Sequence, residues 1–284
     1  MILVTGATGK IGAGLRKLLA DGNIKARLLT RDPAKATGLA SSSVEVVKGD
    51  LGDKASVEKA LQGVDHFFLN VESSAGSLEM ANNAIHAAQR AGVQHIVRLS
   101  VLGADIHSPV QLSRWHAATE AVLKASGIPW TILRPGMFMQ NILNSAHTIK
   151  TDGVFYGAGK DGKVPAIDAR DIAAAAVKAL TEPGHEGKTY NLTGPEALSS
   201  AEQAAKLSAA LGRTIKYVDL PPGHFLQGLL GAGLPKWLAE DYVAMAGWIA
   251  SGNAATVLPD LSKLIGKVHS YDEFAREVAA PALQ

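Results

Sequence analysis

A chain of 284 residues is long enough for one large α/β domain, or for a main domain with a smaller lobe. Hydrophobic residues make up 47% and aromatics only 5%, a profile of closely packed helices on a sheet rather than of an aromatic-rich β-sandwich. The formal net charge of +2, with Lys and Arg scattered among acids, argues against a nucleic-acid partner, and the lack of cysteine excludes disulfides, thiolate metal sites and a catalytic thiol.

The first two-thirds of the sequence alternate short β-branched runs with longer helical patterns. Ile2 to Thr5 reads as a buried strand that enters a glycine turn and not the apolar core of a signal peptide. Ile11 to Ala20 predicts a helix with Leu15, Leu18 and Leu19 on its apolar face. Ala26 to Thr30 and Val44 to Lys48 are the next strands, the latter ended by Gly49-Asp50. Ser56 to Gln62 predicts a short helix, His66 to Val71 a fourth strand, Leu78 to Ala91 a helix and His95 to Ser100 a fifth strand. Ser113 to Ser126 is again helical, and Trp130 to Arg134 is a sixth strand. This alternation predicts an α/β fold with a doubly wound, parallel Rossmann sheet and helices on both faces. Such sheets bind ligands outside the carboxyl ends of their strands.

The pattern changes after Pro135. Met137 to Lys150 reads as a helix, Gly153 to Gly162 as a glycine-rich loop, Ala169 to Thr181 as an Ala-rich helix and Thr189 to Thr193 as a strand. From Pro195 onward the sequence is mostly helical, broken at Pro221-Pro222, between Gly231 and Pro235, and at Gly252. The expected division is a main domain of residues 1–135 plus 166–193 and a smaller, mostly helical C-terminal substrate lobe of 136–165 plus 194–284. No stretch approaches the roughly 20 apolar residues of a membrane helix. The nearest, Phe225 to Ile249, is interrupted by Pro235, Lys236, Glu240 and Asp241. A cytoplasmic location and no membrane partner are expected; oligomeric state is not legible.

Gly6, Gly9 and Gly12 stand between the first strand and the first helix. Gly6 permits the tight turn, Gly9 lets the backbone approach a pyrophosphate, and Gly12 lets helix and strand close up. Amides of Thr8, Gly9, Lys10, Ile11 and Gly12 at the helix start then face phosphate, helped by the helix dipole. The second strand ends in Thr30-Arg31, where an NAD-selective site would place an acid. A guanidinium there, with Lys35 nearby, suits a 2′-phosphate, which it can bind in bidentate fashion. The plain alternative is a solvated Arg31. NADP(H) is therefore the expected cofactor, with NAD(H) bound more weakly. Asp50 and Leu51 are expected beside the adenine, Asn70 and Val71 beside the nicotinamide ribose, and Pro135 and Gly136 against the nicotinamide.

These pieces together resemble the NmrA-like branch of the atypical short-chain dehydrogenase/reductases. They are TGATGKIG at 5–12, Arg31, GDLGD at 49–53, AGVQHIVRLS at 91–100, SGIPWTILRPGMFMQN at 126–141, IDARDIA at 167–173 and GHEGKTYNLTG at 184–194. Within that branch the sequence looks most like the NAD(P)H-dependent azoreductase, triphenylmethane-dye reductase and type-2 quinone oxidoreductase group. The resemblance implies an active site between the two parts and a small aromatic or quinonoid substrate. The branch also holds non-catalytic NADP(H) sensors, which is the alternative function.

One departure bears on mechanism. Where the superfamily carries Tyr-x-x-x-Lys on a helix, this sequence has His116 and Glu120, one turn apart on one face. Absence of that Tyr-Lys pair speaks against a sugar-nucleotide epimerase. His116 is a candidate proton donor, with Glu120 to orient it and stabilise its cation. The alternative is a structural pair that braces the helix. Ser100, at the fifth strand end, is a candidate hydrogen-bond partner of nicotinamide or substrate, or only of backbone groups. The string Tyr156 to Lys160 has a Gly-Ala-Gly interior and reads as a loop. Asp168, Arg170 and Asp171 read as a structural ion-pair turn. Met137, Phe138, Asn141, Phe225 and Trp237 are candidates for acceptor contacts, against the alternative of ordinary packing. No histidine has metal-ligand spacing.

Overall fold

The computed structural model describes residues 1–36, 38 and 40–284, the side chain of Lys35 excepted. The chain divides into two compact units. One comprises Met1–Ser108, Leu112–Pro135 and Ala169–Asn191; the other comprises Pro109–Gln111, Gly136–Asp168 and Leu192–Gln284.

The first unit is built on β1 (Ile2–Val4), α1 (Lys10–Asp21), β2 (Ala26–Thr30), β3 (Val44–Lys48), α2 (Lys54–Ala60), β4 (His66–Leu69), α3 (Ser77–Ala91), β5 (His95–Leu99), α4 (Gln111–Ala125) and β6 (Trp130–Pro135). Further along the chain come α5 (Ala146–Asp152), β7 (Val154–Gly157), β8 (Lys163–Val164), α6 (Ala169–Thr181) and β9 (Lys188–Leu192). The seven-stranded sheet has the order β3-β2-β1-β4-β5-β6-β9, and the neighbouring pairs from β3 to β6 are parallel. Its central strands are buried on both faces, which is why they read as unbroken apolar runs. Leu3, Phe67, Leu69, Ile96 and Ile132 pack with Val57 and Leu61 of the α2 segment, Ile85 of α3 and Leu123 of α4. Helices α1 and α6 pack together, and α6 lies against β4, β5 and β6. Their approach depends on small residues, since a Cβ on Gly14 would stand 2.9 Å from the Ala173 methyl.

The second unit departs more from its sequence pattern. The segment read as one helix from Met137 is extended at Phe138, which bridges Ile167, then a 3₁₀ turn over Met139–Ser145, and only then α5. Backbone hydrogen bonds with Ile167 at Met137 and Met139 take the groups a helix would have needed. The segment read as a glycine-rich loop contains β7, which pairs in parallel with β11 (Lys216–Asp219). A second short pair joins β8 to β10 (Leu198–Ser199). Phe155, Leu207, Ile215, Tyr271 and Phe274 form the core of this unit. It also carries α7 (Ser200–Leu211), started by a reciprocal capping box between Ser199 and Glu202, and the hairpin of α8 (Pro222–Gly231) and α9 (Lys236–Ala250). Helix α8 is apolar and buries none of its residues. Among the described residues no helix is long and apolar enough to cross a membrane.

Candidate functional site

The β1–α1 turn is shaped by the absence of side chains. Gly6 has φ +68°, and a Cβ there would stand 2.5 Å from the Asn70 amide nitrogen. A Cβ on Gly12 would stand 2.2 Å from the Gly6 carbonyl oxygen, an impossible approach. Gly9 is the N-cap of α1; no side chain caps this helix and no acid sits in its first turn. Its end is thus left for an anion. Thr8, Gly9 and Lys10 are exposed, whereas Ile11 is buried and offers a ligand only its backbone. The neighbouring strand is pinned to the turn, because the Thr5 hydroxyl donates to the Asn70 carbonyl (2.9 Å) and accepts from the Asn70 amide (2.8 Å). A dinucleotide pyrophosphate fits this cradle, and the residues around it suit the rest of NADP(H).

Arg31 leaves the end of β2 and meets Glu72 at 3.0 Å, both side chains largely in solvent. The Lys35 side chain lies outside the described residues. Asp50 turns the chain after β3 by accepting from the Gly52 amide at 2.9 Å, and Leu51 is packed into the core of the first unit. Val71 is buried beside Ser73, Ser77, Arg98, Trp115 and His116, which line a small cleft. Pro135 closes β6, and Gly136 donates its amide to the Leu192 carbonyl at 2.9 Å.

The α4 face corrects two expectations. Glu120 does not pair with His116. Its carboxylate, 2% exposed, is held in bidentate fashion by Arg134 of β6 at 2.8 and 2.6 Å, with Lys124 at 3.4 Å. The Ser100 hydroxyl donates to it at 2.6 Å, so its hydrogen is spent on the carboxylate and its lone pairs alone are left for a ligand. Burial pushes the Glu120 pKa up, but the hydrogen bonds from Arg134 and Ser100 outweigh it and hold the group below the usual carboxylate range. His116 instead faces Arg98, whose terminal nitrogen lies 3.4 Å from Nδ1. Burial and then the Arg98 charge push His116 down to about 3. This favours the neutral imidazole at physiological pH over the cationic acid expected from the sequence. Helical spacing placed the two residues on one face correctly, but their partners come from strands, which helical periodicity does not see.

Arg98, Ser73 and Arg134 did not stand out in the sequence. Arg98 sits inside the apolar run HIVRL, where a charge on a fully buried central strand was the available signal. Gln140 was missed as well; its amide donates to the buried Asp168 carboxylate at 2.8 Å. Tyr156 lies on β7, and Lys160 beyond it has φ +50°, so that string is not helical. In the second unit Met137 is exposed, Phe138 and Asn141 are half-buried, and Phe225 and Trp237 lie half-buried on the packed α8–α9 hairpin. Among the described residues no group of three or more His, Asp or Glu is placed to hold a metal ion.

A parallel sheet in this strand order, with a side-chain-free turn at the end of β1, defines a dinucleotide-binding Rossmann protein. Residues 1–275 match the NmrA-like family, and the chain belongs to it. It is 41% identical over 281 residues to the NAD(P)H azoreductase of Xenophilus azovorans, an alignment covering 99% of this chain and 98% of that protein. The NADPH complex of the Escherichia coli quinone oxidoreductase QOR2 superposes with a TM-score of 0.87 at 36% identity, covering 98% of this chain and 100% of the other. The triphenylmethane reductase of Citrobacter sp., complexed with NADP(H), superposes at 0.85 and 30% identity, covering 98% and 99%.

Proposed function

We propose that this protein is an NADPH-dependent oxidoreductase that passes hydride to a small conjugated acceptor: a quinone, an azo compound or a related dye. The observation that carries the reading is the uncapped start of α1 behind its glycine turn, in a chain so similar to reductases of those acceptors. Gly6, Thr8, Gly9, Lys10, Ile11 and Gly12 hold the pyrophosphate through backbone amides. Arg31, with Lys35, receives the 2′-phosphate, so that NADPH is preferred to NADH. Asp50 and Leu51 flank the adenine, Asn70 and Val71 the nicotinamide ribose, and Pro135 and Gly136 the nicotinamide. Met137, Phe138, Asn141, Phe225 and Trp237 contact the acceptor. The cofactor supplies the hydride, and water supplies the proton, because burial holds His116 in its neutral form and Glu120 is ionised and salt-bridged. A sequence without cysteine suits work in the reducing cytoplasm.

Steady-state NADPH oxidation against a panel of quinones and azo dyes tests this directly. Turnover of at least one class, faster with NADPH than with NADH, is the expected result. Tight NADPH binding without turnover of any acceptor would replace the enzyme by a cofactor-gated sensor.

A further inference from the structure

Arg98 stands on β5 almost wholly out of water, 1% exposed. Its terminal nitrogens donate to the Leu69 carbonyl at 3.4 Å and the Thr119 hydroxyl at 3.1 Å, and Nη2 lies 3.4 Å from His116 Nδ1. Its Nε has no partner among the described residues. Burial lowers this guanidinium to about 10, so it remains charged at neutral pH. A guanidinium only donates. His116 must therefore turn a lone pair toward it from Nδ1. The single ring proton is then on Nε2, which lies 3.4 Å from the Ser73 hydroxyl. Ser73 accepts there, and its own hydrogen is turned away from the ring. The three side chains meet in the cleft at the carboxyl end of β4, beside Val71.

We propose that Arg98, His116 and Ser73 form a hydrogen-bond relay, in which the buried guanidinium locks the His116 tautomer and makes the Ser73 hydroxyl the donor that stabilises negative charge on the acceptor. The inference rests on the reductase reading. In that reaction the acceptor takes a hydride, with both electrons of the broken C–H bond, from the reduced cofactor, which is left oxidised. It then takes one proton from water. Between the two events it is an anion, and a donor already aimed at that charge lowers the barrier without reorganising. Ser73 is the catalytic residue of the three; Arg98 and His116 are positioning residues. The charged group facing the imidazole from a neighbouring element is Arg98 of β5. Glu120, one turn along the same helix, is bound by Arg134 and Ser100.

Nitrogen-15 NMR of histidine-labelled protein tests the relay without substrate or cofactor, with the His116 signals assigned by their loss in His116→Gln. The expected spectrum is a neutral Nε2–H tautomer from about pH 8 to about pH 5, where an ordinary histidine becomes charged. An Nδ1–H tautomer, or protonation near pH 6.5, would overturn the relay. Ser73→Ala should lower kcat roughly 100-fold, the scale of one lost donor to a developing anion. The NADPH Kd, read by fluorescence titration, should stay within about twofold, and Ser73→Thr should restore most of the rate. An unchanged kcat, or a weakened NADPH Kd in its place, overturns the role of Ser73. Wild-type protein that turns over no acceptor would instead overturn the reductase reading, and the relay's purpose with it, whatever the tautomer.

Discussion

The β1–α1 turn and the inner face of α4 belong to the same unit but are built from opposite materials. The turn is backbone: Gly6 and Gly12 sit where any Cβ would collide, and the start of α1 has no cap of its own. The α4 face is charge: Arg98 and Glu120 are almost wholly out of water and depend on named partners. A site made of empty space fails when anything is added to it. A site made of buried charge fails when one member is taken away. The two therefore break under different substitutions, and the breakage can be measured separately.

The largest effects belong to the turn. Gly12→Val forces side-chain atoms into the Gly6 carbonyl and should unfold the start of α1, with a loss of stability at or above the top of the ~1–3 kcal/mol usual for overpacking. Gly9→Val is milder, because a Cβ at Gly9 would stand 3.3 Å from the Gly6 oxygen, a tight approach that a shift of a few tenths of an ångström relieves. That variant should keep its melting temperature within a few degrees. Its NADPH affinity should fall by more than about 100-fold, equivalent to two lost hydrogen bonds to a charged group at ~1.5 kcal/mol each. Thermal melts and cofactor titration of both variants separate the two outcomes. A Gly9→Val protein that binds NADPH normally removes this turn from the cofactor site.

The α4 face should respond less steeply and with a pH signature. Glu120→Gln leaves Arg134 without its carboxylate and should destabilise by about 3 kcal/mol, at the low end for a broken buried pair because Arg134 is 23% exposed. The Glu120 pKa is depressed in the folded state, so its contribution is full above the ordinary carboxylate pKa of 4.5 and is lost as pH falls through the lower folded value. His116 acts in the same direction over a higher range. The unfolded chain takes up a proton near pH 6.5, while the folded ring waits until about 3. Stability should therefore fall by about 1.4 kcal/mol per pH unit from this group between those values. His116→Gln should reduce the fall in melting temperature between pH 6 and 4, leaving the share of His95, which burial lowers to about 4, and Glu120→Gln should reduce the fall below about 4.5. A wild-type melting temperature that does not change across pH 6 to 4 would contradict the buried neutral imidazole.

The same contrast explains what the sequence discloses. The turn is legible because its residues are contiguous: each glycine needs only its neighbours to declare the backbone it permits. The central strands β1, β4 and β5 are legible because double burial demands unbroken apolar runs. The helix Ala169–Thr181 is equally plain, being a long alanine-rich run. Partner choice on α4 is not legible, because Arg98 and Arg134 come from other strands and helical spacing cannot rank them against a residue one turn away. Strand β7 is hidden for the same reason. Three residues, Val154 to Tyr156, flanked by glycines, read as a loop until Lys216 to Asp219 supply the pairing. At Met137 to Met139, Ile167 overrides local helix propensity by taking the backbone groups.

Arg31 gives the smallest effect on the fold and the sharpest one on cofactor choice. Its ion pair with Glu72 is 3.0 Å long, but the side chains are 68% and 60% exposed. An exposed pair of this kind contributes ~0–1 kcal/mol, so Arg31→Ala should scarcely move the melting temperature. A 2′-phosphate offers the guanidinium a higher charge and a bidentate geometry, and should draw it away from Glu72. Arg31→Ala should therefore narrow the NADPH-over-NADH preference by roughly 1–3 kcal/mol, about 5- to 150-fold, mostly by weakening NADPH. Salt provides the check on mechanism. Charges in solvent are screened beyond about 10 Å at 0.1 M, and more strongly as salt rises. Raising the salt should reduce the wild-type preference toward that of Arg31→Ala while leaving the weaker NADH binding nearly level. NADH lacks the 2′-phosphate and, on the proposed reading, is held at its pyrophosphate by the amides of the turn. If the variant keeps the wild-type preference at low salt, the 2′-phosphate is read by another group, and Lys35 is the next residue to change.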